Sequence, residues 1–187
     1  MKPKHRIGLR RLLALRRDEK GLAAIEFAFI ASILSLTILN VADFADYYFS
    51  RMQVNEAAEM GVQAAWTTCT PGPPSQLPAT VGSNCPNLST AVTNSVQSTS
   101  LGAHVTQIAG SPSEGWYCVN STGSLQYMAA VTATEPSDCS AAGVQSNSPG
   151  DYIEVQVTYT WTPIFPGLSV ASKLSHTITS NAFMRLQ

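Results

Sequence analysis

From Leu22 to Phe44 the chain is apolar, Glu26 being the only charge before Asp43, and no proline occurs between Pro3 and Pro71. A run of this kind is best satisfied as a helix, which pairs its own backbone groups in surroundings that accept apolar side chains on every side. At 1.5 Å rise per residue, about 23 residues reach roughly 34 Å, enough to cross the hydrocarbon core of a bilayer. Ser32, Ser35 and Thr37 are compatible with that setting because their hydroxyls can bond back to helix carbonyls. Phe44, Tyr47, Tyr48 and Phe49 follow as an aromatic belt at the outer boundary. A cleaved secretory signal would have an apolar core of only about 7–15 residues and an Ala-x-Ala type site. Leu39-Asn40-Val41-Ala42-Asp43 matches that poorly, so the segment is expected to stay in the mature protein.

The helical pattern continues past the apolar run. Val54, Ala57, Ala58, Gly61, Ala64 and Ala65 fall at helical spacing, while Arg51, Asn55, Glu56, Glu59 and Gln63 take other faces. One helix over about residues 22–67 would be roughly 70 Å long, lipidic in its inner half (22–44) and amphipathic in its outer half (45–67). The narrow Ala/Gly stripe predicts close packing against a sheet or a neighbouring helix.

Charge is lopsided along the chain. Residues 1–20 hold eight of the eleven basic residues against Asp18 and Glu19, and the remainder carries three basic and ten acidic residues. Such a basic head could contact nucleic acid, but its position against an apolar segment points to the positive-inside rule instead. Residues 1–21 are expected as a cytoplasmic leader, with everything after the apolar run exported and no nucleic acid among the partners.

Thr-Cys-Thr-Pro-Gly-Pro-Pro-Ser at 68–75 is expected as a turn or polyproline segment rather than helix. An exported domain follows, 68–187, rich in Ser, Thr, Gly, Asn and Pro. Its four cysteines, Cys69, Cys85, Cys118 and Cys139, suggest two disulfides with three possible connectivities. The sequential pairs, Cys69–Cys85 and Cys118–Cys139, each close a loop full of turn residues. Tyr152 to Trp161 alternates strictly, with Ile153, Val155, Val157, Tyr159 and Trp161 on one face, and Leu174 to Met184 reads as a second strand. Together they predict an antiparallel hairpin over about 152–185 whose apolar face packs on the small-residue stripe. Weaker signals place a short helix near 88–100 and strands near 103–109, 115–120 and 125–133. The fold class is therefore α+β: a long transmembrane-to-amphipathic helix carrying a small disulfide-containing domain with an antiparallel sheet.

Candidate functional residues lie at the start of the helix. Gly21 precedes the apolar run, and Glu26 stands inside it, followed by Phe27. A carboxylate within a membrane-length apolar segment is costly and is usually kept for a task. Elsewhere the signals are structural. Trp66, Trp116 and Trp161 are expected in packing, and Asp43 and Asp46 as polar groups at the helix exit or as partners of another subunit. His104 and His176 are isolated, there is no Cys-x-x-Cys pair, and no Gly-x-Ser-x-Gly, His-Glu-x-x-His or phosphate loop occurs. No metal, no cofactor and no catalysis are expected.

Lys20-Gly-Leu-Ala-Ala-Ile-Glu-Phe27 resembles the processing site of type IV-type prepilins. The longer pattern resembles the TadE-like family, minor pilins or pseudopilins of the tight-adherence (Flp) pilus system. It comprises Gly21-Leu-Ala-Ala-Ile-Glu-Phe-Ala, Asp43-Phe-Ala-Asp-Tyr-Tyr-Phe-Ser, Gln53-Val-Asn-Glu-Ala-Ala-Glu-Met-Gly-Val-Gln-Ala-Ala and Val155-Gln-Val-Thr-Tyr-Thr-Trp-Thr-Pro, with a terminal strand closing on Phe183-Met-Arg. The resemblance covers about half the chain and leaves 68–150 unassigned. It implies cleavage between Gly21 and Leu22 by a membrane-embedded prepilin peptidase, and a single-pass bacterial inner-membrane protein with its C-terminal domain outside, or a place within the pilus. The implied partners are the peptidase, the major Flp pilin, other minor pilins and an inner-membrane assembly platform, besides the lipid bilayer. Beside the resemblance, a buried carboxylate needs a partner, and the new α-amine of Leu22 on an adjacent subunit could pair with Glu26. An unprocessed, signal-anchored exported binding domain shares the same topology. A minor pseudopilin of type II secretion shares the cut site, but the Val155–Trp161 pattern favours the TadE-like reading.

Overall fold

A single helix, α1, runs from Glu19 to Cys69, 51 residues without a break, or about 77 Å. The computed structural model describes residues 19–70, 77–144 and 147–187. Most of the basic leader therefore lies outside the described residues, as does most of the Pro-rich stretch after Thr70. The helix takes in Thr68 and Cys69, which the sequence places in a turn segment. Proline restricts the residue before it, and Pro71 leaves helix free to continue until Thr70. In that last turn the hydroxyls of Thr67 and Thr70 donate to the carbonyls of Gln63 (2.9 Å) and Trp66 (2.6 Å).

A second helix, α2 (Leu88–Val96), turns one face to the core through Leu88, Val92 and Val96, four residues apart. It stops short of residue 100, and the chain then passes through a short 3-10 turn, Gly102–His104. Five antiparallel strands follow: β1 (Thr106–Gln107), β2 (Ser113–Val119), β3 (Leu125–Ala130), β4 (Gly150–Thr160) and β5 (Thr177–Arg185). The strands near 106 and 125 are shorter than their sequence signals.

β4 is the centre of the sheet. β5 pairs along one edge, from Tyr152↔Arg185 to Thr160↔Thr177. The other edge is shared: β2 takes its first half, from Ser113↔Glu154 to Tyr117↔Gly150. β1 takes its second half, at Thr106↔Thr158 and Gln107↔Val157. β3 lies outside β2. The β4–β5 pairing is the expected one, but 16 residues separate the two strands, and Leu174 belongs to this connection.

The core forms where α1 crosses the sheet. Ile153, Val155 and Val157 of β4 meet Val54, Ala57, Ala58, Val62 and Ala65 of α1, with Val92 and Val96 of α2 closing the side. Gly61 sits at the closest approach: a Cβ there would lie 2.9 Å from Val155 Cγ1 and 3.1 Å from Val96 Cγ2. The stripe of small residues is therefore the condition for the sheet and α2 to reach the helix at once. Trp116 and Trp161 are buried, but Trp66 is 46 % exposed. It lies one residue beyond Ala65, about 100° around the helix from the buried stripe and away from the sheet.

Candidate functional site

The N-terminal part of α1 touches nothing else among the described residues. Leu22, Ile25, Phe27, Phe29, Ile30, Ile33, Leu34, Leu36 and Ile38 are each about half exposed or more, and the segment is long and apolar enough to cross a membrane. Glu26 is exposed within it. Gly21 stands in the first turn, where an added Cβ would meet nothing within 4 Å. Glycine lowers helix stability by roughly 1 kcal/mol against alanine, and neither packing nor backbone conformation in this fold accounts for it. The structure brings Gly21, Leu22, Glu26 and Phe27 together as one bare helix end.

A polar neck separates this stem from the domain. Asn40, Asp43 and Asp46 repeat every three residues on α1, on the face that continues as the buried stripe. Asp46 Oδ2 accepts from Trp161 Nε1 (2.8 Å). Asp43 Oδ1 accepts from the backbone N–H groups of Ile164 (2.8 Å) and Phe165 (3.3 Å). Asn40 Oδ1 accepts from Val170 N–H at 2.8 Å, while its Nδ2 donates to the carbonyl of Leu36 at 2.8 Å. Tyr47 packs edge-on against Trp161 with ring centroids 5.1 Å apart. Asp43 is fully buried, so a helix-exit group of the sequence reading is an internal clamp for the β4–β5 connection. The clue available in sequence is that 40, 43 and 47 prolong the 50, 54, 57 and 61 stripe toward the N-terminus.

The cysteines pair as Cys69–Cys85 and Cys118–Cys139. The first ties the end of α1 to the segment leading into α2. The second holds the excursion between β3 and β4 onto β2, where Cys118, Cys139 and Ala142 form a separate small core.

A carboxyl pair that sequence reasoning missed lies beyond the disulfide-bonded end of α1. Glu114 accepts from the backbone N–H groups of Ala79 (2.9 Å) and Thr80 (2.6 Å) and from the Thr80 hydroxyl (2.7 Å). Asp151 faces it, 1 % exposed, with Oδ1 lacking a partner among the described residues. Burial, and then the Glu114 charge, push the Asp151 carboxyl up to about 7. Glu114 already accepts three hydrogen bonds, so the proton of the pair belongs on Asp151. The two residues lie 37 positions apart and neither carries a motif, which leaves the pair invisible until β2 and β4 are aligned.

The opposite face of the sheet is aromatic: Tyr117 packs edge-on against Tyr127, Tyr152 and Phe183 with centroids 5.4–5.9 Å apart. A shallow cleft beside them is lined by Tyr117, Val119, Tyr152 and Arg185.

Comparison with curated proteins and comparison with solved structures each give no match. Residues 21–63 match the family model described as TadE-like protein. The match begins at Gly21 and runs through Glu26, the neck and Gly61, and ends before the disulfide-bonded domain.

Proposed function

We propose that this protein is a TadE-like minor pilin or pseudopilin, cut after Gly21 by a prepilin peptidase and serving assembly of an adhesive Tad (Flp-type) pilus. The observation that carries the reading is the bare stem: an apolar helix without cover among the described residues, holding one carboxylate five positions beyond a glycine the fold does not need. TadE-like pilins are structural proteins, which supports a non-enzymatic role. The basic residues before Lys20 support a cytoplasmic leader and an extracytoplasmic domain in the bacterial inner membrane.

Each residue then has a task. Gly21 lets the backbone enter the peptidase site extended, with no side chain in the way. Cleavage frees an α-amine on Leu22. Glu26 in the apolar stem needs a countercharge, and the Leu22 amine of a neighbouring subunit supplies it, setting axial register between stems. Phe27 completes the recognition pattern. The partners are the peptidase, the major pilin and other minor pilins, and the membrane assembly platform.

N-terminal sequencing of the membrane-extracted, C-terminally tagged protein tests this directly. The expected start is Leu22-Ala-Ala-Ile-Glu, with Gly21→Phe accumulating as the longer precursor. A start at Met1 in cells with an active peptidase overturns processing and leaves a signal-anchored exported domain.

A further inference from the structure

The connection between β4 and β5 descends the stem. Trp161 is bound at Asp46, Ile164 at Asp43 and Val170 at Asn40, a descent of about 9 Å along α1 toward its apolar half. From Leu22 to Val41, 20 residues reach about 30 Å, the hydrocarbon thickness of a bilayer. Asn40 and Asp43 therefore mark the level at which the stem leaves the lipid, and the connection is held at that level by its own backbone.

What it displays there is apolar. Ile164 is 54 %, Leu168 62 % and Val170 63 % exposed. Beyond α1, only Val119 and Tyr127 among the other described residues are large, apolar and comparably exposed, so the apolar surface is concentrated where the stem meets the membrane boundary. Pro163, Pro166 and Gly167 keep the segment irregular until the short 3-10 turn Val170–Lys173, and Gly167 takes φ +82°, which places the turn at its tip. No acidic residue occurs from Val155 to Gln187, and exposed Lys173 flanks the tip.

We infer that Ile164, Leu168 and Val170 are a second membrane contact, inserting into the headgroup and acyl boundary of the outer leaflet beside the stem, with Lys173 among the phosphates. The inference rests on the reading that the stem crosses the bilayer. The occupant is lipid because the patch is continuous with the exposed apolar stem, lies at its exit level and carries a basic flank. A second chain packed on the stem would have to displace this loop from the three neck residues or dock outside it. The contact seats the domain on the membrane surface while the protein is membrane-resident, and it is surrendered when the stem is drawn out of the lipid.

The full chain with Leu168→Trp, reconstituted in phosphatidylcholine and phosphatidylglycerol vesicles, tests the contact. Its emission is compared with that of the unsubstituted protein, which has its own Trp66, Trp116 and Trp161. The expected result is that the protein floats with the vesicles and that the added emission is roughly halved by lipids brominated near the headgroup, while iodide in the water has little effect. Flotation with an added signal open to iodide and untouched by brominated lipid overturns the inference. So does flotation with protection from both quenchers, which assigns the patch to a protein neighbour. A protein that does not float overturns the membrane-spanning reading itself. Val170→Trp is the second position, and intact pairing of the four cysteines on a non-reducing gel shows that each variant has folded.

Discussion

Two carboxyls illustrate how differently one residue type behaves along this chain. Glu26 lies on a bare helix surface, whereas Asp151 is buried against Glu114 and holds its proton up to about 7. A carboxyl raised in the folded state keeps its proton to higher pH than the unfolded chain does. Its contribution to stability is complete below the ordinary value of 3.8 and is lost as pH rises through about 7. The expected outcome is that stability declines over this window through Asp151, by at most about 1.4 kcal/mol per pH unit. Asp151→Asn, which resembles the protonated acid, flattens that decline. Thermal unfolding of the detergent-solubilised protein and of the variant, from about pH 4 to about pH 8, isolates the term as the difference between the two curves. A wild-type curve parallel to that of the variant would assign the proton elsewhere.

At the scale of elements, α1 does two jobs separated by the neck. Above it, the small stripe admits the sheet. Gly61→Leu drives a side chain into both Val155 and Val96, and is expected to cost about 3 kcal/mol, partly recovered by Val155→Ala. Gly21→Ala, with nothing near its Cβ, leaves the packed domain undisturbed and is expected to raise helix stability by at most about 1 kcal/mol. Denaturant titration of the three variants separates packing from processing. Below the stripe, Asp43 carries the clamp. Asp43→Ala strands the Ile164 and Phe165 N–H groups and is expected to cost about 1–3 kcal/mol. Asp43→Asn keeps an oxygen acceptor and loses less. Limited proteolysis shows the effect locally, as faster cutting between Trp161 and His176 in the alanine variant.

Across the whole molecule, the two disulfides divide the labour unequally. Cys69–Cys85 spans 16 residues and fixes the end of α1 to the approach to α2, both of which line the main core. Replacing the pair by serine is expected to destabilise the whole domain by about 3 kcal/mol. Cys118–Cys139 serves the separate small core, so its loss is expected to loosen the excursion between β3 and β4 and leave β4, β5 and α1 protected. Hydrogen exchange of the two double variants distinguishes a global from a local loss. The same division bears on the proposed assembly role. The stem and neck match the TadE-like family model, and the disulfide-bonded flank lies outside that match.

Much of this architecture was legible because it is local. A proline-free apolar run, a stripe at helical spacing and an alternating Tyr152–Trp161 segment each follow from residues a few positions apart, so α1, β4 and the β4–β5 pairing could be read directly. The sequence left three cysteine connectivities and favoured the sequential one for its two turn-rich loops, and the structure decides for it. The clamp was not legible, because Asn40, Asp43 and Asp46 bind partners 115 to 130 residues away. Nor was the Glu114–Asp151 pair, which exists only once the β2–β4 register is set. By itself the sequence determined that this chain has a membrane-length stem with one carboxylate near a glycine, and a β-rich head tied by cystines. Only the tertiary structure decided which polar groups face inward and that an apolar loop is held at the stem's exit. Periodicity specifies the face a residue occupies, but burial and hydrogen-bond partners depend on what the rest of the chain brings against that face.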